Sequence, residues 1–491
     1  MTTALLCETV TGRTTAELVA ARDGATHGDM VELRLDGVSD PDVGAALHGR
    51  RVPAVVTCRP TWEGGRFDGS EQERARLLLQ ALELGAEFVD VEWRATRESA
   101  ADFAAIVRKD PKRVVISSHD FEGVPRDLSD RVRAMRSVGA GAIKVAVTVS
   151  RLTETLPLRE IGAAGDAVVI GMGEAGVPSR LLAAKYGSKW TYAGAGVAPG
   201  QIPAARMADD YHFSRVGPGT RIFGVVSTTA MHSLSPVMHN AAFEEAGIDA
   251  VYVPLRTCDF DDFLSYASAM GIEGASITIP FKLDALRAAS SVDPLAQKVG
   301  AVNTLRRDGS RWHATNTDVD GFLAPLDAVF GTRLQQARAA VLGAGGSARA
   351  VVAALRSRGA VVTVYARRPE QARELAQTLD AAVGEWPPAP GSWDVLVNCT
   401  PLGGAGHRDE SPLPRDAARG PLVYDLTYGP EPSPLLRDAR AAGALTIDGL
   451  PMLVAQAERQ FEWWTGRRPE PGVMAGAVRR KVKAQFAGRT S

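Results

Sequence analysis

The chain has 491 residues, a length that predicts about three domains, or one large barrel with a two-domain partner, and argues against one compact core. Its 56 lysines and arginines balance 57 aspartates and glutamates to a net charge of −1, so nothing draws it toward nucleic acid or an anionic membrane, and small molecules are the expected partners. With 45% hydrophobic and 23% charged residues, the composition excludes a disordered chain.

The first ten residues show no basic region or apolar signal core, and a strand begins at once. No run of 18 or more uncharged apolar residues occurs, so a spanning helix is not expected. Cys7, Cys58, Cys258 and Cys399 are scattered without a CxxC pair, which predicts reduced thiols in a cytoplasmic protein and no metal site.

Eight short β-branched or apolar runs follow, at 4–10, 30–36, 52–58, 87–93, 113–118, 142–148, 166–172 and 190–195. Between most of them lie segments of helical period, such as Ser70–Gly85 and Leu128–Val138, long enough for right-handed crossovers between parallel strands. Eight such units over about 200 residues predict a (β/α)8 TIM barrel. An open doubly wound sheet is the alternative. Glycine and proline in Ser214–Thr220 mark a linker, and a second β/α series starts at Arg221. The string AAVLGAGGSA, Ala339–Ala348, is an apolar strand running into a glycine turn and a helix, the start of a Rossmann-like dinucleotide unit. The amphipathic tail from Gly449 is expected to pack back on the domain before that motif. The expected division is 1–215, 221–321 completed by 449–491, and 322–448.

In a barrel, reactive side chains stand on the C-terminal ends of strands and point inward, so charges at period 2 inside apolar runs are informative. Glu32 and Arg34 lie two apart, as do Asp90 and Glu92; Arg59 ends the third run, His119 the fifth, and Lys144 sits within the sixth. Each alone reads equally well as a buried structural charge. Together they would be costly to bury unless they form a working network. A lysine among apolar residues and other cations is a candidate amine nucleophile for a ketone, His119 a candidate proton carrier, and Glu92 a candidate for fixing its tautomer. The pattern points to imine-assisted removal of a proton α to a carbonyl.

The strings ELRLD, TCRP, DVEW, SSHDF, IKVAV, GEAGVPSR and APGQ, in this order over 1–215, resemble type I 3-dehydroquinate dehydratase. The resemblance implies that Lys144 forms a Schiff base with 3-dehydroquinate, that His119 removes the C2 proton and assists imine formation and hydrolysis, and that Glu92 orients His119. It further implies that Arg180 holds the substrate carboxylate while Glu32, Arg34, Arg59 and Gln201 contact its hydroxyls. One departure is Val197, which stands where the family has a small hydroxyl residue before Ala-Pro-Gly-Gln.

In the second half, the glycines of Gly343-Ala344-Gly345-Gly346-Ser347-Ala348 let a pyrophosphate approach a helix N-terminus. Arg367 and Arg368, about 20 residues on at the next strand end, favour a 2′-phosphate and hence NADP over NAD. A structural glycine turn with a solvated basic end is the plainer alternative. Ser233 and Ser235 supply two hydroxyls, Thr278 and Lys282 lie in SITIPFK, Asn303 in AVNTL, and Asp318 closes Asn-Thr-Asp. A lysine and an aspartate in one cleft can relay a proton to a carbonyl oxygen as hydride arrives.

These strings, with Asn398-Cys399-Thr400-Pro401, Tyr428 and Gln456, resemble shikimate dehydrogenase over about 221–485. The resemblance implies Lys282 and Asp318 as the catalytic pair and Ser233, Ser235, Thr278, Asn303, Tyr428 and Gln456 as contacts to 3-dehydroshikimate. NADP(H) would lie on Gly343, Gly345, Gly346, Ser347, Ala348, Arg367, Arg368 and Thr400. Departures are the loop Ser227–Met231, Ala366-Arg367-Arg368 in place of Asn-Arg-Thr, and Gly403-Gly404 in place of glycine-methionine. The order of halves is that of the fused plant-type enzymes. The expectation is a bifunctional enzyme of the aromatic-precursor pathway, which dehydrates 3-dehydroquinate and reduces the product to shikimate with NADPH. Alternatives are a second half acting mainly on quinate, or a catalytically dead metabolite-binding regulator.

Overall fold

The computed structural model describes residues 3–194, 196 and 198–487, so Val197, residue 195 at the end of the eighth run, and residues 1–2 and 488–491 of the expected domains lie outside the described residues. The eight apolar runs form eight strands: β1 (Leu5–Thr11), β2 (Met30–Arg34), β3 (Ala54–Thr57), β4 (Phe88–Glu92), β5 (Val114–Asp120), β6 (Ala142–Thr148), β7 (Ala167–Met172) and β8 (Trp190–Ala193). Their order is β7-β6-β5-β4-β3-β2-β1-β8, and every registered neighbour pair is parallel. At the remaining seam the Lys189 N–H donates to Ala167 O at 2.9 Å and the Val169 N–H to Ser188 Oγ at 3.1 Å, which leaves a nearly closed barrel.

Period 2 sorts the interior into layers. Cys7, Met30, Val55, Val115, Ala142, Val168 and Trp190 form the apolar floor. Two residues further along their strands stand Thr9, Glu32, Thr57, Ser117 and Lys144. Polar chemistry is therefore confined to one end because the alternation turns polar only there.

The chain divides into two compact units. One comprises the chain to Ile222, Thr229–Met231 and Asp249–Gly271, so a segment expected to lie with the second half groups with the barrel. The other contains one remaining sheet entire and most of the second, whose strand Ala250–Arg256 groups with the barrel. One is all parallel, in the order Ala382–Val383, Val361–Tyr365, Arg338–Leu342, Val395–Asn398, Leu422–Asp425, Leu445–Ile447, with its earliest strand, Arg338–Leu342, in the interior. Chain order reverses on either side of that strand, the crevice where α/β sheets bind ligands. In the other sheet Thr304–Asp308 pairs antiparallel with Ile272–Ile277 and with Arg311–Thr315.

The helices Asp318–Val329 and Leu450–Thr465 join these layers, and the sequence sets how closely. A Cβ on Gly321 would sit 2.7 Å from the Gln456 Cβ, so only glycine permits that approach. The first tail helix, Leu450–Thr465, thus packs against Asp318–Val329. Among the described residues no helix is long and apolar enough to cross a membrane.

Candidate active sites

The barrel mouth holds a cavity of about 170 Å³ lined by Glu32, Arg34, Arg59, Glu63, His119, Lys144, Arg180, Tyr192 and Gln201, among others. Lys144 is buried there, its Nζ 3.4 Å from Asp90, 3.8 Å from Glu32 and 4.1 Å from the centre of the Tyr192 ring. The nearest charges to the amine are thus carboxylates rather than the cations expected, because β2 and β4 deliver theirs to its layer. Glu32 is fixed by the Thr9 and Thr57 hydroxyls at 2.9 and 2.8 Å. Burial opposes the charge of Asp90, but Arg59 and Lys144 override it and hold the carboxyl well below its usual range.

Glu92 does not face His119 as expected. Arg59 donates to one of its oxygens at 2.6 Å and Arg74 to the other, and Arg59 also pairs with Asp90 at 2.9 Å. The carboxylate at His119 is Glu63, whose Oε1 lies 3.1 Å from Nδ1 and accepts the His119 N–H at 2.9 Å. Burial pushes the Glu63 carboxyl up to about 7; Arg59 opposes this, while Glu92 and Asp90 add to it. Burial, then the Arg59 and Lys144 cations, holds His119 well below its usual range, so the imidazole is neutral near pH 7.

Arg34 is clamped by Asp36 at 2.8 and 2.9 Å. Arg180 is different. It is 2% exposed, donates only to the carbonyls of Tyr192 and Pro199 at 3.4 and 3.3 Å, and has no carboxylate partner among the described residues. Burial pulls its guanidinium down to about 10, and its Nε is unsatisfied. A buried, uncompensated cation lining a cavity is an anion site. Gln201 donates to Thr9 at 3.2 Å and keeps an unsatisfied buried Oε1.

In the second unit, Lys282 Nζ is 2.5 Å from Asp318 Oδ2, and Asn303 donates to the other Asp318 oxygen at 2.8 Å. Asn303 Oδ1 accepts the Thr317 N–H at 2.8 Å, so one amide orders the turn into the helix that Asp318 begins. Gln460 supports the same cluster, donating to the Thr304 hydroxyl at 3.0 Å and accepting from Ser276 at 2.7 Å. Ser233 accepts the Ser235 N–H at 3.1 Å, Gln456 donates to Leu453 O at 2.8 Å, and Tyr428 is 38% exposed. Among the described residues no hydrogen bond joins Ser233, Ser235, Thr278, Tyr428 or Gln456 to the Lys282–Asp318 pair.

The Type I 3-dehydroquinase family model matches residues 6–218, the Shikimate dehydrogenase substrate binding domain 225–305 and the Shikimate 5′-dehydrogenase C-terminal domain 449–479. A bifunctional 3-dehydroquinate dehydratase/shikimate dehydrogenase, chloroplastic, of Arabidopsis thaliana is 33% identical over 473 residues, 89% of this chain and 78% of that one. The chain belongs to this bifunctional family. A shikimate dehydrogenase (NADP(+)) of Salinibacter ruber is 40% identical over 277 residues, 53% of this chain and 97% of its own. A crystal structure of a shikimate dehydrogenase in complex with NADP+ superposes with a TM-score of 0.51 at 32% identity, covering 54% of this chain and 96% of that one.

The residues of this bifunctional chain fit an NADP(H). Gly343 has φ +107°, and a Cβ there would sit 3.3 Å from Cys399 O. Gly345 has open space around its Cβ position, and the helix Gly346–Ser357 starts behind it with no side-chain cap, as a pyrophosphate site requires. A Cβ on Gly346 would lie 3.0 Å from Lys282 Cδ, which places that helix end beside the lysine. Arg367 and Arg368 are exposed past the neighbouring strand, with no carboxylate partner among the described residues. Thr400 donates twice to Asn398 Oδ1, and Asn398 in turn donates to buried Asp425 at 2.9 Å.

Sequence reasoning missed Glu63 and Asp425 as parts of the two sites, and it named Asp90 and Asn398 without giving either a role of its own. Glu63 had a signal, since it sits in TWEGGR just after Arg59, a glycine-rich stretch at a strand's C-terminal end.

Proposed function

We propose that the barrel dehydrates 3-dehydroquinate to 3-dehydroshikimate and that the second half reduces this product to shikimate with NADPH. The observation that carries the reading is that Lys144, His119 and the uncompensated Arg180 converge on one cavity.

Arg180 binds the substrate carboxylate, and Glu32, Arg34, Arg59 and Gln201 meet its hydroxyls. The Lys144 amine attacks the ketone and water leaves as the imine forms; the imine draws electrons from the adjacent carbon, neutral His119 removes the C2 proton, and the resulting enamine expels the hydroxyl β to the imine carbon, which takes a proton from the His119 imidazolium and leaves as water. Glu63 takes the orienting role at Nδ1. Glu92 and Asp90 hold Arg59 in place and balance the charge of the site. Hydrolysis of the imine returns Lys144 and releases product.

In the second site Ser233, Ser235, Thr278, Asn303, Tyr428 and Gln456 hold 3-dehydroshikimate, and Lys282 with Asp318 supplies a proton to the carbonyl oxygen. NADPH, when bound, supplies the hydride. Gly343, Gly345, Gly346, Ser347, Ala348 and Thr400 would hold it, with Arg367 and Arg368 at its 2′-phosphate. The reading divides the chain into a barrel at 1–215, a substrate domain at 221–321 completed by 449–491, and a cofactor domain at 322–448. It places the protein in the cytoplasm, supported by Cys7, Cys58, Cys258 and Cys399 as free thiols.

An assay supplying only NADPH and 3-dehydroquinate tests both activities at once, because NADPH is consumed only if both sites work. No loss of NADPH, with added 3-dehydroshikimate reduced normally, would overturn the dehydratase assignment.

A further inference from the structure

The segment Asp249–Gly271 groups with the barrel, although it lies within the stretch that matches the shikimate dehydrogenase substrate-binding domain. Its helix Phe260–Met270 carries Asp262, whose side chain is wholly buried. A carboxylate is costly there unless its lone pairs are filled. Barrel residues fill most of them. Oδ2 accepts the Leu152 N–H at 2.8 Å, and Oδ1 accepts the Thr153 N–H at 3.1 Å and the Thr153 hydroxyl at 2.5 Å. Arg151 approaches Asp262 at 3.5 Å and pairs with Asp259 at 2.9 Å. Three consecutive barrel residues are thus held by one end of a helix from the dehydrogenase half.

Those three residues lie in the loop after β6, the strand that carries Lys144, at the end of the barrel where such folds place their chemistry. The loop reaches the cavity wall through the Val149 N–H, which donates to the carbonyl of cavity-lining Met172 at 3.1 Å. A second tie runs beside it. Arg256, the last residue of the strand Ala250–Arg256, lies 3.6 Å from Glu174, one residue after Gly173. The Gly173 N–H donates to Pro199 O at 3.3 Å, and the same carbonyl accepts Arg180 at 3.3 Å. A third tie is the hydroxyl chain Thr155–Tyr186–Tyr266, with steps of 2.7 and 3.0 Å.

We infer that Asp262 and Arg256, residues of the dehydrogenase half, are positioning residues of the dehydratase site, holding the loops after β6 and β7 around the cavity that contains Lys144 and Arg180. This rests on the dehydratase reading of the barrel. Neither residue lines the cavity, so both act through the loops, and the barrel is not catalytically autonomous of the chain beyond residue 222.

The test is made on the full chain with each half assayed separately. Asp262→Asn keeps the side-chain shape but turns one acceptor into a donor facing backbone N–H groups. The expected result is a KM for 3-dehydroquinate raised about tenfold, with reduction of added 3-dehydroshikimate unchanged. Arg256→Gln, at a partly exposed position, raises the same KM by a smaller factor and decides the matter alone if Asp262→Asn does not fold. An unchanged dehydratase KM in the folded variants would overturn the inference. So would an equal fall of both activities at constant KM, the mark of lost folded protein. Absence of dehydratase activity in the unsubstituted chain would instead overturn the functional reading, so the two failures are distinct.

Discussion

His119 Nδ1 and the Glu63 carboxylate lie 3.1 Å apart across 56 residues of chain, and they form the histidine–carboxylate pair of the barrel site. Glu63 is pushed up to about 7 and His119 is held well below its usual range, so the histidine stays neutral while the carboxyl gains its charge through neutrality. Dehydratase kcat/KM should therefore rise with pH through about 7 as Glu63 ionises. Glu63→Gln removes that ionisation; the rise flattens and kcat falls about tenfold to a hundredfold. A variant keeping the full pH rise would assign the titration to another group.

Lys144→Ala should abolish covalent trapping by borohydride in the presence of 3-dehydroquinate and silence the coupled assay. Reduction of added 3-dehydroshikimate should be untouched, because Lys282 and Asp318 belong to the other unit. Mass spectrometry of the reduced adduct locates the modified residue.

The 2.5 Å contact between Lys282 and Asp318 makes the two sites separable in the opposite sense. Lys282→Ala should lower kcat for 3-dehydroshikimate reduction by about 10² to 10⁴ and leave borohydride trapping at Lys144 intact. Steady-state rates with saturating NADPH check it.

Arg367→Ala removes a guanidinium placed for a 2′-phosphate. KM for NADPH should rise about tenfold and KM for NADH change little, the loss of one charge-assisted hydrogen bond. Equal effects on both nucleotides would put Arg367 elsewhere on the cofactor.

His239 is buried in the second unit with Nε2 3.3 Å from Gln460 Oε1, and burial pulls it down to about 3. A folded value below the unfolded one means that its contribution is present above about pH 6.5 and is lost as pH falls toward about 3, up to about 5 kcal/mol. Thermal melts at pH 7 and pH 4.5 should show a drop in Tm that His239→Gln reduces, relative to its own value at pH 7.

Much of this protein is written locally. Strand period 2 places alternate residues inward, so Glu32, Asp90, His119 and Lys144 could be read as one mouth from their spacing inside apolar runs, and eight runs with helical connections suffice for a barrel. The glycine turn at Gly343–Gly346 is equally legible, because a missing Cβ and a positive φ are properties of single positions, although its neighbours Cys399 and Lys282 are brought to it by the fold. Tertiary structure alone decided which opposite charges meet. Glu92, two positions from Asp90 on β4, goes to Arg59 and Arg74, and a loop glutamate takes its expected place at His119. Asp262 finds its partners 109 and 110 residues away. Burial demands that each charge be satisfied, but the partner is set by distance across the fold, which spacing along the chain does not encode.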